Sequence, residues 1–231
     1  MKKNILCVIP ARGGSKGLRD KNFKTFNKKK LLSYPLDLAK KIKKIDKIVF
    51  TSDSDKYLNY VKKNYNVDTI KRSKNLSSDN TKISKVINYI IDKLASKNQQ
   101  FDIILMLEPT SPLTTEKDLN KAINLLKKNY RNIDGVCPVV VLNKYNPAFS
   151  ITLKNNLFNN HIMPNNINRQ EKNTFYLSGN FYLTKISNFK KNGGFYSKKT
   201  FAYKIDKKYY SDIDDLEDLK IAEFKKKIYK I

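Results

Sequence analysis

Short apolar runs alternate with stretches of helical periodicity over the first 140 residues. The runs Ile5 to Ile9, Lys47 to Thr51, Val67 to Ile70, Phe101 to Leu107 and Gly135 to Val141 have the length and β-branched content of buried strands. Between them, Ser33 to Lys43, Asp55 to Lys63, Lys82 to Leu94 and Glu116 to Lys128 carry apolar residues at helical spacing. In the third of these, Ile83, Val86, Ile87, Ile90, Ile91 and Leu94 form one stripe. Strands alternating with helices predict an α/β, Rossmann-like fold with a mainly parallel sheet flanked by helices. Ser33, ahead of Tyr34-Pro35, reads as the cap of the first helix.

Beyond residue 142 the pattern becomes irregular and rich in Asn, with apolar alternation only at Phe149 to Leu153 and Thr174 to Leu183. These are expected to be antiparallel strands projecting from the main sheet. A last helix, Asp215 to Lys227, carries Leu216, Leu219, Ile221, Ala222 and Phe224 and is expected to pack back on the sheet. At 231 residues, with no Gly/Ser/Pro linker and no repeat, the chain reads as one domain, 1–231.

The formal charge of +26 raises nucleic acid as a partner, but its distribution argues against one. Only Arg12, Arg19, Arg72, Arg131 and Arg169 are arginines; the remaining cations are lysines scattered from end to end. Nucleic-acid binders concentrate a basic stripe with arginine and stacking aromatics. No apolar run approaches the roughly 20 residues that span a bilayer, and Ile5 to Ile9 is shorter than a signal-peptide core. A cytoplasmic protein without membrane contact is therefore expected. Cys7 and Cys137 lie in apolar runs, as buried thiols do in a reducing compartment. The single histidine, His161, leaves a zinc site without ligands and receives no catalytic role.

Candidate chemistry begins directly after the first strand, in Pro10-Ala11-Arg12-Gly13-Gly14-Ser15-Lys16-Gly17-Leu18-Arg19-Asp20-Lys21-Asn22. Three glycines let a backbone curve closely around a ligand with its amides turned inward, and Arg12, Lys16 and Lys21 add positive charge for a triphosphate. The spacing matches neither Walker A nor GxGxxG. Glu108-Pro109-Thr110-Ser111-Pro112 follows the fourth strand, at the sheet end where parallel α/β folds bind ligands; one of its hydroxyls is expected to cap the next helix. Asp212 and Asp214, two apart in an extended stretch, place both carboxylates on one side, where they can share a hard cation. Alternatively they open the acidic first turn of the last helix.

The loop resembles the opening motif of the CMP-sialic acid synthetases, the acylneuraminate cytidylyltransferase family, with relatives that activate KDO, pseudaminic and legionaminic acids. In matching order follow Thr51-Ser52-Asp53, the segment Arg72 to Asp79, Leu107 to Leu113, Arg169-Gln170, Ser178 to Tyr182 and Asp212-Ile213-Asp214, so the likeness spans residues 5 to 224. It implies a nucleotide-diphospho-sugar transferase-like fold and transfer of CMP from CTP to the anomeric hydroxyl of an acidic 3-deoxy-ulosonic sugar. The rival acceptor is the eight-carbon acid KDO.

By that resemblance, the loop from Ala11 through Arg12, Gly13, Gly14, Ser15 and Lys16 binds nucleotide together with Lys21 and Asn22, and Arg72 and Thr81 lie against the cytosine. Arg12, Lys21, Asp212 and Asp214 form the catalytic set, with the two aspartates on Mg²⁺, or Mn²⁺ in its place. Asn22, Glu108, Thr110, Ser111, Gln170 and Tyr182 face the sugar, whose carboxylate meets Arg169. Residues 143–190 form a projecting, sugar-side segment through which a homodimer assembles. The sequence departs from the pattern at Glu108, where sialic acid members usually carry Gln, at Phe149, where a lysine is common, and at Ser178, usually Asn. All three fall in the sugar half.

Overall fold

A computed structural model of the chain describes residues 3–15, 17–142, 152–155, 157–159 and 174–231. In chain order its elements are β1 (Ile5–Pro10), β2 (Thr25–Phe26), β3 (Lys29–Lys30), α1 (Ser33–Lys41), β4 (Lys47–Ser52), α2 (Asp55–Asn64), β5 (Asp68–Lys71), α3 (Ile83–Ala95) and β6 (Ile103–Met106). There follow α4 (Glu116–Lys128), β7 (Gly135–Val141), β8 (Thr152–Lys154), β9 (Leu157–Asn159), β10 (Phe175–Leu177), β11 (Tyr182–Lys185), α5 (Ile186–Asn192), β12 (Thr200–Lys204) and α6 (Leu216–Ile228). The main sheet runs β10-β7-β11-β6-β1-β4-β5, with β12 on the other edge of β7.

Both faces of the sheet are covered, which is why its strands read as continuous apolar runs. Along β1, Ile5, Cys7 and Ile9 point into a core shared with α1, α2 and α4, while Leu6 and Val8 point into a second core shared with α3 and α5. The predicted α3 stripe is buried from Val86 to Leu94; Ile83 is left partly open at the mouth of a cleft. A third, smaller core of Phe26, Leu31, Leu113, Ile213, Leu219 and Ala222 joins α6 to the loops at the carboxyl ends of the strands.

Four expectations need correction. The Thr174 to Leu183 run does not project. It divides into β10 and β11, and β11 lies inside the main sheet, antiparallel between β6 and β7. The break falls opposite Pro138, which cannot donate to the ladder; there Ser178 donates both its amide and its hydroxyl to the Pro138 carbonyl, at 3.0 and 3.3 Å. Ser33 does not cap α1: it is the first helical residue, and its hydroxyl bonds that of Tyr60 at 3.1 Å. Neither Thr110 nor Ser111 caps α4; Thr115 does, accepting from the Asp118 amide. On α6 only Leu219 and Ala222 are buried, and Leu216, Ile221 and Phe224 stay exposed, because the helix meets the small third core with one narrow stripe. Lys16, Phe149, His161, Arg169 and Gln170 lie outside the described residues, as does most of the expected strand from Phe149 to Leu153.

Candidate active site

The carboxyl ends of β1, β4, β5 and β6 open into a cleft of about 470 Å³. Its floor is the glycine-rich loop after β1, represented by Arg12, Ser15, Gly17, Lys21 and Asn22. One wall holds Arg72, Ser77, Ser78, Asp79 and Thr81; the other holds Glu108, Pro109, Thr110 and Asp214. Of the residues the sequence singled out, the structure thus brings together Arg12, Ser15, Lys21, Asn22, Arg72, Thr81, Glu108, Thr110 and Asp214, from four separate stretches of chain.

Each glycine of the loop does a different job. A Cβ on Gly13 would come within 3.0 Å of the Ser54 Cβ, and the Gly13 amide donates to an Asp53 carboxylate oxygen at 3.0 Å. That amide is spent on the protein, so the inward-facing nest read from the sequence loses one donor. A Cβ on Gly17 would stand 2.9 Å from the Asp214 carbonyl oxygen, so Gly17 is what lets the loop lie against the Asp212–Asp214 stretch. Around Gly14 no atom of the described residues lies within 4 Å of an added Cβ. Ala11 is not at the surface of the cleft: its methyl is in the main core and its amide extends the β1–β4 ladder to the Thr51 carbonyl. Asn22 is buried, with its side-chain amide donating to the Arg12 carbonyl at 3.0 Å, which makes it a brace for the loop.

The cations sit in contrasting surroundings. Lys21 reaches Asp214 at 2.7 Å. Arg12 pairs with Asp79 across the cleft. Arg72, held at the end of β5 by its backbone N–H donating to the Ser52 carbonyl, is 5% exposed, and its Nε has no hydrogen-bond partner among the described residues. Burial lowers its guanidinium's affinity for the proton, opposed by nearby Asp53 and aided by Arg12. A buried cation so poorly paired is costly to the fold, and such groups concentrate where a ligand completes them. Thr81 lines the same wall, but its hydroxyl donates to the Asn75 carbonyl at 2.9 Å and stiffens the turn.

The opposite wall is acidic. Burial pushes the Glu108 carboxyl up to about 7, with Asp212 as the next cause, against a hydrogen bond from Tyr182 and attraction to Lys21. Asp212 is also shifted upward, by burial and then by Asp214, while Thr110 donates to it. Asp212 and Asp214 flank buried Ile213, whose amide donates to the Thr110 carbonyl at 3.0 Å, so the strand-like alternation holds. Asp214 lines the main cleft, whereas Asp212 borders an adjoining cavity of about 260 Å³. Asp215, in contrast, caps α6 in a capping box with Asp218.

Ser111 is placed differently from its expected sugar-facing role. Its buried hydroxyl has the Gly179 and Ser211 carbonyls at 3.1 and 3.0 Å, and so ties the loop after β6 to the β10–β11 break and to the Asp212 stretch. Gly179, at φ +70°, is left-handed there, the conformation glycine adopts without strain. Tyr182 is largely buried against Phe195 and Tyr196 and points its hydroxyl at Glu108, so it packs and reaches the cleft wall at once. Two residues of the site were not among the expected ligands: Asp53, which anchors the glycine loop, and Asp79. Both stand inside segments that carry the resemblance, Thr51-Ser52-Asp53 and Arg72 to Asp79, but by residue type a carboxylate is no ligand for an anion.

A cationic glycine loop at the end of β1, with Lys21 paired to Asp214 and with Glu108 on the wall of the same cleft, set in a mainly parallel sheet, is the arrangement of a nucleotide-binding α/β protein. The chain belongs to the cytidylyltransferase family, which matches residues 6–229. It is 30% identical over 201 residues to the CMP-N,N'-diacetyllegionaminic acid synthase of Legionella pneumophila, covering 85% of this chain and 84% of that one. With the N-acylneuraminate cytidylyltransferase of Escherichia coli it shares 25% over 226 residues, 96% of this chain and 52% of the relative. The chain therefore spans about half the length of that protein, but 94% of a flagellin modification protein B of Campylobacter coli, at 28% identity over 95% of this chain. In fold it is similar to a CMP:2-keto-3-deoxy-manno-octonic acid synthetase solved with CTP, at TM-score 0.72 and 12% identity, over 99% of this chain and 100% of the other.

Proposed function

We propose that the chain transfers CMP from CTP to the anomeric hydroxyl of an acidic, sialic acid-like nonulosonic sugar. The hydroxyl oxygen bonds to the α-phosphorus, the bond from that phosphorus to the bridging oxygen breaks, the hydroxyl proton is lost, and pyrophosphate leaves. One observation carries the reading: a single cleft gathers Arg12, Lys21 and a buried Arg72, whose Nε finds no hydrogen-bond partner among the described residues, together with the carboxylates of Glu108 and Asp214. The relatives' names, N-acylneuraminate, pseudaminic and N,N'-diacetyllegionaminic acids, support a nine-carbon acid as acceptor.

In this reading Arg12, Ser15 and Lys21 hold the triphosphate, aided by Lys16, and the room at Gly14 lets phosphate oxygens approach the backbone. Arg72 lies against the nucleotide with Thr81 beside it. Glu108, Thr110 and Tyr182 face the sugar, and Arg169 and Gln170 meet its carboxylate. Asp212 and Asp214 fit a divalent cation: their donors are hard oxygens, and the repulsion from Asp214, which adds to burial in raising Asp212, is what a cation would relieve. Among the described residues no group of three or more metal-ligating side chains forms a cage, in keeping with Mg²⁺, or Mn²⁺, held by one or two carboxylates plus phosphate oxygens. Such an ion supplies charge neutralisation at the phosphates. The chain's own contribution is to position the two substrates and to meet charge developing on the phosphate oxygens.

A homodimer completed through residues 143–190 accords with the exposed apolar side chains Phe175, Leu177 and Tyr196 along that end of the sheet. A cytoplasmic site of action accords with the nucleotide substrate. Pyrophosphate release measured with CTP, UTP, ATP and GTP, each with sialic, legionaminic, pseudaminic and KDO acids, tests the proposal. Release stimulated by a nine-carbon acid with CTP alone is expected. Stimulation by KDO alone would move the acceptor to the eight-carbon acid, and no stimulation by any acid would end the proposal.

A further inference from the structure

Arg12, the first cation of the phosphate loop, is already paired within the chain, with Asp79 on the opposite wall. The partner is held firmly. Asp79 sits in a turn closed by the Thr81 amide on the Ser78 carbonyl at 3.0 Å, by the Ser78 and Thr81 hydroxyls at 2.7 Å, and by the Thr81 hydroxyl on the Asn75 carbonyl at 2.9 Å. Both members of the pair line the cleft, and each side chain keeps about a third of its surface open, 35% for Arg12 and 39% for Asp79. A carboxylate offers a guanidinium the same planar pair of acceptors that a phosphate does. One guanidinium cannot serve both in full.

Resting on the functional reading above, we propose that Asp79 is an internal competitor for Arg12, a residue that lowers the site's affinity for polyphosphates and takes the cation back when pyrophosphate leaves. The exchange keeps Arg12 from being left beside Arg72 without a counter-charge, since the two cations lie within electrostatic reach of each other. It also explains why a carboxylate stands on a wall otherwise suited to nucleotide. An ion pair this exposed holds weakly, so its removal is expected to tighten polyphosphate binding by about two- to fivefold, and less at high salt.

The test uses the full chain and calorimetric titration with inorganic tripolyphosphate, inorganic pyrophosphate and cytidine. Asp79→Asn is expected to bind both polyphosphates about two- to fivefold more tightly and cytidine as the wild type does. Asp79→Glu is expected to behave as wild type. In an Arg12→Gln background, Asp79→Asn is expected to gain less than it does in the wild type. Unchanged or weaker polyphosphate binding by Asp79→Asn would overturn the proposal, the weaker case making Asp79 a support for Arg12. An equal gain in the Arg12→Gln background would also overturn it, as an effect of net charge alone. None of these titrations requires turnover, so a failure of the functional reading, seen as absent CMP transfer, is distinguishable from a failure here.

Discussion

Replacing Gly17 by alanine tests how closely the phosphate loop is fitted to the stretch that carries the paired aspartates. Gly17 has no positive φ, so alanine meets no conformational obstacle; the obstacle is the Asp214 carbonyl oxygen, 2.9 Å from the added Cβ. Ordinary contact begins near 3.4 Å, so one backbone must retreat by about 0.5 Å. The retreat falls on the residue whose carboxylate meets Lys21 and whose neighbour Ile213 is bonded to Thr110. Overpacking costs about 1–3 kcal/mol, and two loops that share the adjustment place this at the lower end, about 1 kcal/mol. For a chain of this length that is a fall in Tm of about 2–4 °C. Misplacement by 1 Å costs about 10²-fold in rate, so half that distance should lower kcat about tenfold. Gly14→Ala is the control, because its methyl would meet no atom of the described residues within 4 Å. It should keep or slightly raise Tm, through a less flexible unfolded chain, while raising KM for CTP. Thermal melts beside steady-state pyrophosphate release read both variants. A Gly17→Ala protein with wild-type kcat and Tm, or a Gly14→Ala protein that melts early, would refute the assignment of the two glycines.

Two further outcomes follow from the charged groups of the cleft. Glu108 has a folded value of about 7, above its ordinary 4.5, so between those values the folded chain keeps a proton that the unfolded chain has lost. Stability should therefore fall as pH rises through that window, by up to about 3 kcal/mol; Glu108→Gln should flatten the fall, with Asp212 leaving a remainder, and a slope identical to wild type in denaturant titrations would count against it. Arg72→Met removes a desolvated cation, so Tm should hold or rise, while the loss of charge-assisted bonds raises KM for CTP about 10- to 100-fold; a clear drop in Tm with KM unchanged would make Arg72 structural.

The sheet was legible because its strands are buried on both faces: Gly135–Val141 and Glu116–Lys128 lie where periodicity alone put them, and the other early elements differ by one or two residues at their ends. What periodicity missed depends on long-range pairing. Thr174 to Leu183 reads as a surface hairpin locally, yet β11 enters the sheet because β6 and β7 each leave an edge for it, a relation between residues some 40 to 80 apart. In the site, Arg12, Lys21, Arg72, Glu108 and Asp214, singled out by residue type at strand ends, all line one cleft. Residue types foretold the small polar groups poorly. Ser111 and Asn22 have the side chains of ligands, but their polar atoms are consumed by neighbouring carbonyls, and only the fold reveals which carbonyls those are. Ser178 is the same lesson at a departure from the family pattern, its hydroxyl spent on Pro138.

The fate of the α-phosphate tests the central claim most directly. With Mg²⁺, a nine-carbon acid and CTP labelled at the α-phosphorus, the label should pass into a single sugar-linked CMP product, with one unlabelled pyrophosphate released for each. Label recovered as free CMP, or retained in CTP while the terminal phosphate is released, would contradict attack of the sugar hydroxyl on the α-phosphorus.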